Sequence, residues 1–206
     1  MSTARPNQGP DPETIDKLRR ALEAAHAHAD GSGIIDPVAE AQRAPVRNKA
    51  LRLLDQRARS REELRRRIAE NPEFEPQIID EVLGSLESSG LIDDHTFATE
   101  WVRQRAARRG KSRRVLDKEL RDKGVAEHHR ASALEQVSDD DEVDMAQGLA
   151  EKKARTIKNP PADRAEHQKN LRRVLGVLAR RGFAQHIAMP VATSALNQRY
   201  AELEQP

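Results

Sequence analysis

The 206-residue chain contains no cysteine. That excludes disulfides, thiolate nucleophiles and cysteine-ligated metal centres, and it suits a reducing compartment, so the cytoplasm is the expected location. Aromatic residues are nearly as scarce, at three Phe, one Trp and one Tyr. So few rings, several of them on expected core faces, cannot build a stacking platform for splayed single-stranded bases. No apolar run approaches the roughly 18 residues of a membrane span, and the N-terminus lacks a secretory apolar stretch, so no membrane partner is expected. Period-two alternation is missing throughout, which argues against half-buried strands. The glycine-rich phosphate loop, the nucleophile elbow and the Rossmann glycine set are also missing.

What the chain does have is charge. Hydrophobic residues make up 36% and charged residues 34%, so a core must come from narrow apolar stripes on charged elements. That favours stacked helices over a buried parallel sheet. Net charge is only +2, but its layout is ordered. Residues 47–67 carry nine Lys/Arg against three acids, and residues 68–100 carry nine acids and no Lys/Arg. Residues 101–125 then hold ten basic against three acidic, 126–151 one against eight, and 152–182 ten against two. The alternation implies a repeated unit with a basic part and an acidic part.

Hydrophobic periodicity supports the repeat. Val46, Ala50, Leu53, Leu54 and Arg57 fall at helical spacing, with Pro45 suited to the first turn. Ser60 and Glu63 read as a capping box opening a second helix that buries Leu64 and Ile68. A third helix carries Ile78, Ile79, Val82, Leu83 and Leu86, and stops at Gly90. The next unit repeats the pattern with Phe97, Ala98, Trp101 and Val102, then Ser112 capping Leu116 and Leu120. Gly124 and Val125 follow, and then Ala133, Leu134 and Val137. The third opens in the acidic run 138–144, which suits a helix N-terminus. It carries Val143, Met145, Leu149, Ala150, Ala154 and Ile157, then Leu171, Val174, Leu175 and Leu178, then Phe183, Ile187 and Val191, with Pro190 expected to kink or delay the last helix. The phrase GKSRRVLDKELRDKGV at 110–125 returns fifty-eight positions later as QKNLRRVLGVLARRGF. The expected organisation is therefore all-α: a mostly disordered tail at 1–44, with a short helix in ETIDKLRRALEAAHAHA, then three-helix repeats at 45–93, 94–137 and 138–206 in an elongated array. Each unit is near the lower size limit for folding alone, and stacking would bury what one unit leaves exposed.

No catalytic constellation stands out. His26, His28, His95, His128, His129, His167 and His186 show no i, i+4 pair with a third ligand near, so solvated histidines are the simpler reading. Asp94 beside Asp93 reads as a helix N-cap. The DDDE at 139–142 lacks the glycine and spacing of a calcium loop. No enzyme and no cofactor is expected.

Binding remains. Arg103, Arg105, Arg108, Arg109, Lys111, Arg113 and Arg114 form the densest basic cluster, and Arg172, Arg173, Arg180 and Arg181 give the third unit a related one. Three-helix units resemble helix-turn-helix folds, so weak, salt-sensitive and sequence-indifferent nucleic-acid contact is a fair expectation. Docking along an acidic, repetitive protein surface fits the same charges, because linked weak contacts reinforce one another.

The string ALRLLDQRARSREELRRRI, then IIDEVLGSLESSGLIDDHTFATEWVRQRA, GKSRRVLDKELRDKGV and LARRGF resembles the bacterial RecX family in that family's order, from about Ala50 to Val191. The LIDD run at Leu91–Asp94 with Phe97-Ala98, the KGV at 123–125 and the RRGF at 180–183 are together specific. The resemblance implies tandem three-helix repeats that bind RecA, the recombinase filament on single-stranded DNA, and restrain its ATPase, strand exchange and the coprotease activity behind the SOS response. It supplies no catalytic residues. Contact candidates are Arg105, Arg108, Arg109, Lys111, Arg113, Arg114, Arg172, Arg173, Arg180 and Arg181, on a monomer. The alternative is a stand-alone helix-turn-helix regulator on DNA, which the acidic or neutral third helices at 75–89 and 126–137 disfavour.

Overall fold

The structure, a computed structural model, describes residues 37–205. The expected tail and its short helix lie outside the described residues up to position 36. Among the described residues there are nine α-helices and no strand.

Helix α1 spans Pro37–Gln56, α2 Arg61–Ile68 and α3 Pro76–Ser88. Helix α1 starts eight residues before the expected position and runs through Pro45. A proline inside a helix removes one i→i−4 hydrogen bond and crowds the carbonyl four residues earlier, and the helix forms all the same through the good helix formers of the preceding PVAEAQRA. From Val46 onward α1 contributes Val46, Ala50 and Leu53 to a core completed by Leu64, Ile68, Ile79, Val82, Leu83, Leu86 and Ile92. Ser60 caps α2, accepting from Glu63 N–H at 3.1 Å. The expected capping box is not formed, because the Glu63 carboxylate turns to Arg57, Arg59 and Lys123 instead.

Helix α4 spans Asp94–Arg109, α5 Arg113–Asp122 and α6 Glu127–Leu134. Their core is Phe97, Ala98, Val102, Ala106, Leu116, Leu120, Val125, Ala133 and Val137. The cap of α4 is Asp93, not Asp94: its carboxylate accepts from Thr96 N–H at 2.9 Å and from the Thr96 hydroxyl at 2.6 Å. Asp94 is the first helical residue, which frees its carboxylate for a different helix, as described below.

Helix α7 spans Asp139–Ala154, α8 Arg164–Arg181 and α9 Gln185–Glu204. A true capping box opens α7, where Ser138 and Asp141 satisfy each other's backbone N–H groups. The buried stripe of α7 is Ala146, Ala150 and Ala154, with Val143 exposed rather than in the core. Small side chains at i, i+4 and i+8 let α8 and α9 approach closely, and Leu171, Val174, Leu178, Phe183, Val191, Ala192, Ala195 and Leu196 close over them. Helix α9 begins at Gln185 and passes through Pro190 without the expected delay. Pro190 is the sixth residue of the helix, beyond Ala188 whose N–H already bonds Ala184 O, so it forgoes one i→i−4 hydrogen bond, to the carbonyl of His186. Met145 packs against both the second and third cores.

Candidate interaction surface

The duplicated phrase builds the joints between units. Helix α5 is amphipathic: Ser112 accepts from Val115 N–H at 3.4 Å, Leu116 and Leu120 are fully buried, and Gly124 at φ +74° ends the helix. Helix α8 does the same with Val174, Leu178 and Gly182 at φ +88°. Each glycine end abuts the start of the preceding unit's second helix. The buried Ser60 hydroxyl at the start of α2 donates to Lys123 O at 2.6 Å, and a Cβ on Gly124 would sit 2.3 Å from Glu62 Cγ. At the next joint Ser112 N–H donates to Arg181 O at 3.1 Å, and a Cβ on Gly182 would sit 2.2 Å from Val115 Cγ2. A carboxylate from the following unit completes each joint by accepting from the first helical N–H. Asp94 accepts from Arg61 N–H at 2.8 Å, and Glu142 from Arg113 N–H at 3.2 Å. Carboxylates at helix N-termini stabilise both by hydrogen bonding and through the helix dipole.

These joints decide which of the expected contact residues are available. Lys111 and Arg105 both turn inward to Glu119. Lys111 pairs with its Oε1, while Arg105 lies 3.5 Å from its Oε2 and stacks over Trp101 at 3.1 Å from the ring centroid. The Trp101 indole N–H donates to the same carboxylate at 3.1 Å. Arg113 pairs with Asp139 at 2.7 Å and helps fasten the third unit to the second. These three side chains hold helices together. Arg108 and Arg109 lie in the last turn of α4, and their side chains are outside the described residues. Arg114, Arg172, Arg173 and Arg180 are exposed and form no ion pair among the described residues. Arg173 and Arg180 are seven residues apart on α8 and so share a face, about 10 Å from end to end. Helix α8 then delivers Arg180 and the half-buried Arg181 to the joint where Arg114 lines a recess with Gly182 and Ala184. Of the ten expected residues, Arg105, Lys111 and Arg113 staple helices, and four, Arg114, Arg172, Arg173 and Arg180, point outward.

The residues that sequence spacing missed are the acids that bind the cations. Glu63 receives Arg57, Arg59 at 2.8 Å and Lys123 at 2.8 Å. Burial alone would raise its carboxyl pKa, but hydrogen bonds and charge from Arg57 and Lys123 hold it at about 2. Asp94 behaves in the opposite way: burial raises its pKa, and Arg61 N–H and His129 only partly offset that. Asp93, with both hydrogen bonds from Thr96, sits below the usual range. Neither of the adjacent acids is poised for proton transfer, since each is committed to a helix start. Among the described residues no cluster of three or more His, Asp or Glu is placed to hold a metal ion, although His129 packs against His95 and His128 at ring distances of 5.8 and 3.9 Å. Among those residues, too, no helix is long and apolar enough to cross a membrane.

Three-helix units joined end to end, with a row of outward arginines, define a helical-repeat protein of helix-turn-helix-like modules. The descriptions "RecX, first three-helix domain" and "RecX, second three-helix domain" match residues 47–86 and 93–134. The chain is 52% identical over 194 residues to a regulatory protein RecX of Corynebacterium efficiens, covering 93% of this chain and 92% of that one. It is 40% identical over 156 residues to the RecX of Mycolicibacterium vanbaalenii, covering 75% and 84%. Among solved structures, the fold is similar to a crystal structure of RecX from Lactobacillus salivarius. That pair shares 23% identity at a TM-score of 0.62, over 76% of this chain and 97% of that one. A second, titled crystal structure of regulatory protein RecX, is 22% identical at a TM-score of 0.63, over 91% and 81%. The chain belongs to the RecX family of regulatory proteins.

Proposed function

We propose that the chain regulates RecA by binding the recombinase or its filament on single-stranded DNA. In doing so it restrains ATP hydrolysis, strand exchange and coprotease activity, and with them recombinational repair and the SOS response. Family membership at 52% identity over most of the chain is the observation that carries this reading. The protein acts by binding, without turnover of its own, in the cytoplasm and as a monomer. The units at 45–93, 94–137 and 138–206 serve as linked docking modules whose weak contacts reinforce one another. Of the ten contact candidates, Arg114, Arg172, Arg173 and Arg180 have charge to spare for filament phosphates or for an acidic RecA surface. Arg105, Lys111 and Arg113 act indirectly, by holding the helices that present them.

The test is single-strand-dependent ATP hydrolysis by the cognate RecA, titrated with this protein from sub-stoichiometric to equimolar. A variant with Arg114→Glu, Arg172→Glu, Arg173→Glu and Arg180→Glu runs alongside. Inhibition by the native chain that weakens at least about tenfold in the variant, with helicity and melting unchanged, is the expected result. Inhibition well below one-to-one points to action at filament ends, and inhibition only near equimolar points to coating of the groove. No effect at any ratio sinks the reading. Sequence-selective DNA binding that survives moderate salt would favour the stand-alone regulator instead.

A further inference from the structure

A groove of about 510 Å³ opens between the first and second units, and none of the four outward arginines lines it. Leu54, Leu91, Phe97 and Trp101 supply its apolar lining, with Arg57 and Arg105 beside them. Leu91 is 55% exposed, yet its backbone is fixed, because its N–H donates to Leu86 O at 2.9 Å. Leu91 is one of five exposed large apolar side chains among the described residues, and it is the one that continues into the apolar lining of this groove, with Leu54, Phe97 and Trp101 beside it. Trp101 is fixed as well. Arg105 lies over its ring, the Lys123 ammonium is 4.4 Å from the centroid, and the indole N–H is held by Glu119. It therefore presents an immobilised apolar wall rather than a side chain free to swing.

The charge around this wall is lopsided. Arg57, Arg59 and Lys123 converge on the single carboxylate of Glu63, and three cations against one anion leave a net +2 beside the groove. Of the two acids that line the groove, Glu100 is neutralised by a cation, and the charge of Asp93 is offset by the excess of Arg105 and Lys111 over Glu119. Asp93 is taken by the start of α4 through Thr96, and Glu100 by the Arg103 guanidinium at 2.6 Å. Uncompensated positive charge along a low-dielectric wall selects a partner that brings carboxylates together with an apolar anchor.

We propose that this groove docks a short acidic segment of a partner protein, seating one large apolar side chain between Leu91 and Trp101 while its flanking carboxylates pair along the Arg57 edge. The inference goes beyond RecA regulation and does not depend on it, because the groove and the arginine row are separate sets of residues.

Trp101 is the only tryptophan in the chain, so its fluorescence reports directly on occupancy. The probe is a short synthetic peptide of aspartate and glutamate around a central leucine–phenylalanine pair. Two controls accompany it: one with lysine in place of every acid, and one with glycine in place of the apolar pair. The expected result is a saturable change in Trp101 emission with the acidic apolar peptide only. Loss of one central anchor contact should weaken that binding at least about tenfold in Leu91→Asp and, independently, in Arg57→Glu. Leu91 is exposed, so the first variant keeps the fold, and a melting curve on each variant checks this. Absence of a saturable response overturns the proposal. So does equal binding of either control peptide, or native affinity in both variants. A response to a single-stranded oligonucleotide but not to the peptide would also overturn it and assign the groove to nucleic acid. The RecA assay above reads the arginine row and can fail or succeed independently.

Discussion

Alanine at Gly124 or Gly182 tests the joints between units. Both glycines have positive φ, at +74° and +88°, and a side chain there costs about 1–2 kcal/mol for the left-handed conformation alone. The space is closed too. A Cβ at 124 would lie 2.3 and 2.4 Å from Cγ and Cβ of Glu62, and one at 182 would lie 2.2 Å from Val115 Cγ2 and 2.6 Å from Ser112 Oγ. Carbon contacts settle near 3.5–4.0 Å, so the joint must open by more than an ångström. Forced overpacking of that kind costs about 1–3 kcal/mol. Gly124→Ala and Gly182→Ala should therefore each lose about 2–5 kcal/mol. Two other glycines separate the contributions. Gly90 has φ +75° but open space around it, so Gly90→Ala should lose only the conformational ~1–2 kcal/mol. Gly148 lies inside α7 with nothing within 4 Å, so Gly148→Ala should gain ~0.5–1 kcal/mol. The assay is urea unfolding followed by far-ultraviolet circular dichroism, with midpoints compared at constant slope. Trp101 fluorescence, which reports on the second unit, is followed in parallel. In Gly182→Ala the two probes should separate, because the third unit loses its attachment to the second. Equal losses for Gly90→Ala and Gly124→Ala, with coincident probes throughout, would refute the joint.

Four further outcomes follow from two half-buried acids and two helix caps. The Glu63 carboxyl is held at about 2 against an ordinary 4.5, so its contribution is fully present above about 4.5 and fades as pH falls toward 2. Stability of the native chain should drop through that window, while Glu63→Gln should be ~2 kcal/mol less stable at pH 7 and flatter in acid. Asp94 is raised by burial, so its ionised form opposes folding above its folded pKa and the penalty eases as pH falls. Asp94→Asn keeps the acceptor for Arg61 N–H and should be neutral or ~1 kcal/mol stabilising at pH 7, whereas Asp94→Ala should lose ~1 kcal/mol, both read by thermal melts. Ser60→Ala removes a buried cap that also donates to Lys123 O and should cost ~2 kcal/mol in the same melts. Asp163→Ala removes only the exposed cap of α8 and should cost about half as much.

Much of the fold was legible because its signals are local. Leu116 and Leu120, or Val174 and Leu178, announce a buried face by their spacing, and Ser112, Gly90, Gly124 and Gly182 mark helix ends by their chemistry. Some ion pairs are just as local: Lys118–Asp122 and Arg121–Asp117 are one turn apart and both form. The pairs that decide the surface are not local. Lys123 meets Glu63 across sixty residues, Arg113 meets Asp139 across twenty-six, and Lys111 reaches Glu119 only because α4 and α5 fold together. A run of arginines in sequence therefore overstated the free charge near Arg105, Lys111 and Arg113. The adjacent Asp93 and Asp94 were misassigned by one position for a related reason. Either can cap α4 locally, and only the tertiary position of α2 shows that Asp94 is needed elsewhere.

The duplicated phrase also explains why it occurs twice in a chain of three units. Three units in a row have two joints, and each joint needs a helix end that passes close to a neighbour's helix start. Helices α5 and α8 provide those ends with Gly124 and Gly182, and α2 and α5 provide the starts with Ser60 and Ser112, both fully buried. The outer positions lack the device. Helix α2 finishes at Ala69 in the ordinary right-handed conformation, with no glycine, and α8 begins at Asp163, which is exposed to solvent. A helix end that meets nothing needs no left-handed glycine, and a helix start that meets only water can use a charged cap where a buried one must be a small hydroxyl. The glycine phrase is thus a marker of unit-to-unit contact rather than of the unit itself. The same joint places the arginines that precede Gly182 beside those that follow Ser112, so the arginine row is tied to the repeat's own geometry.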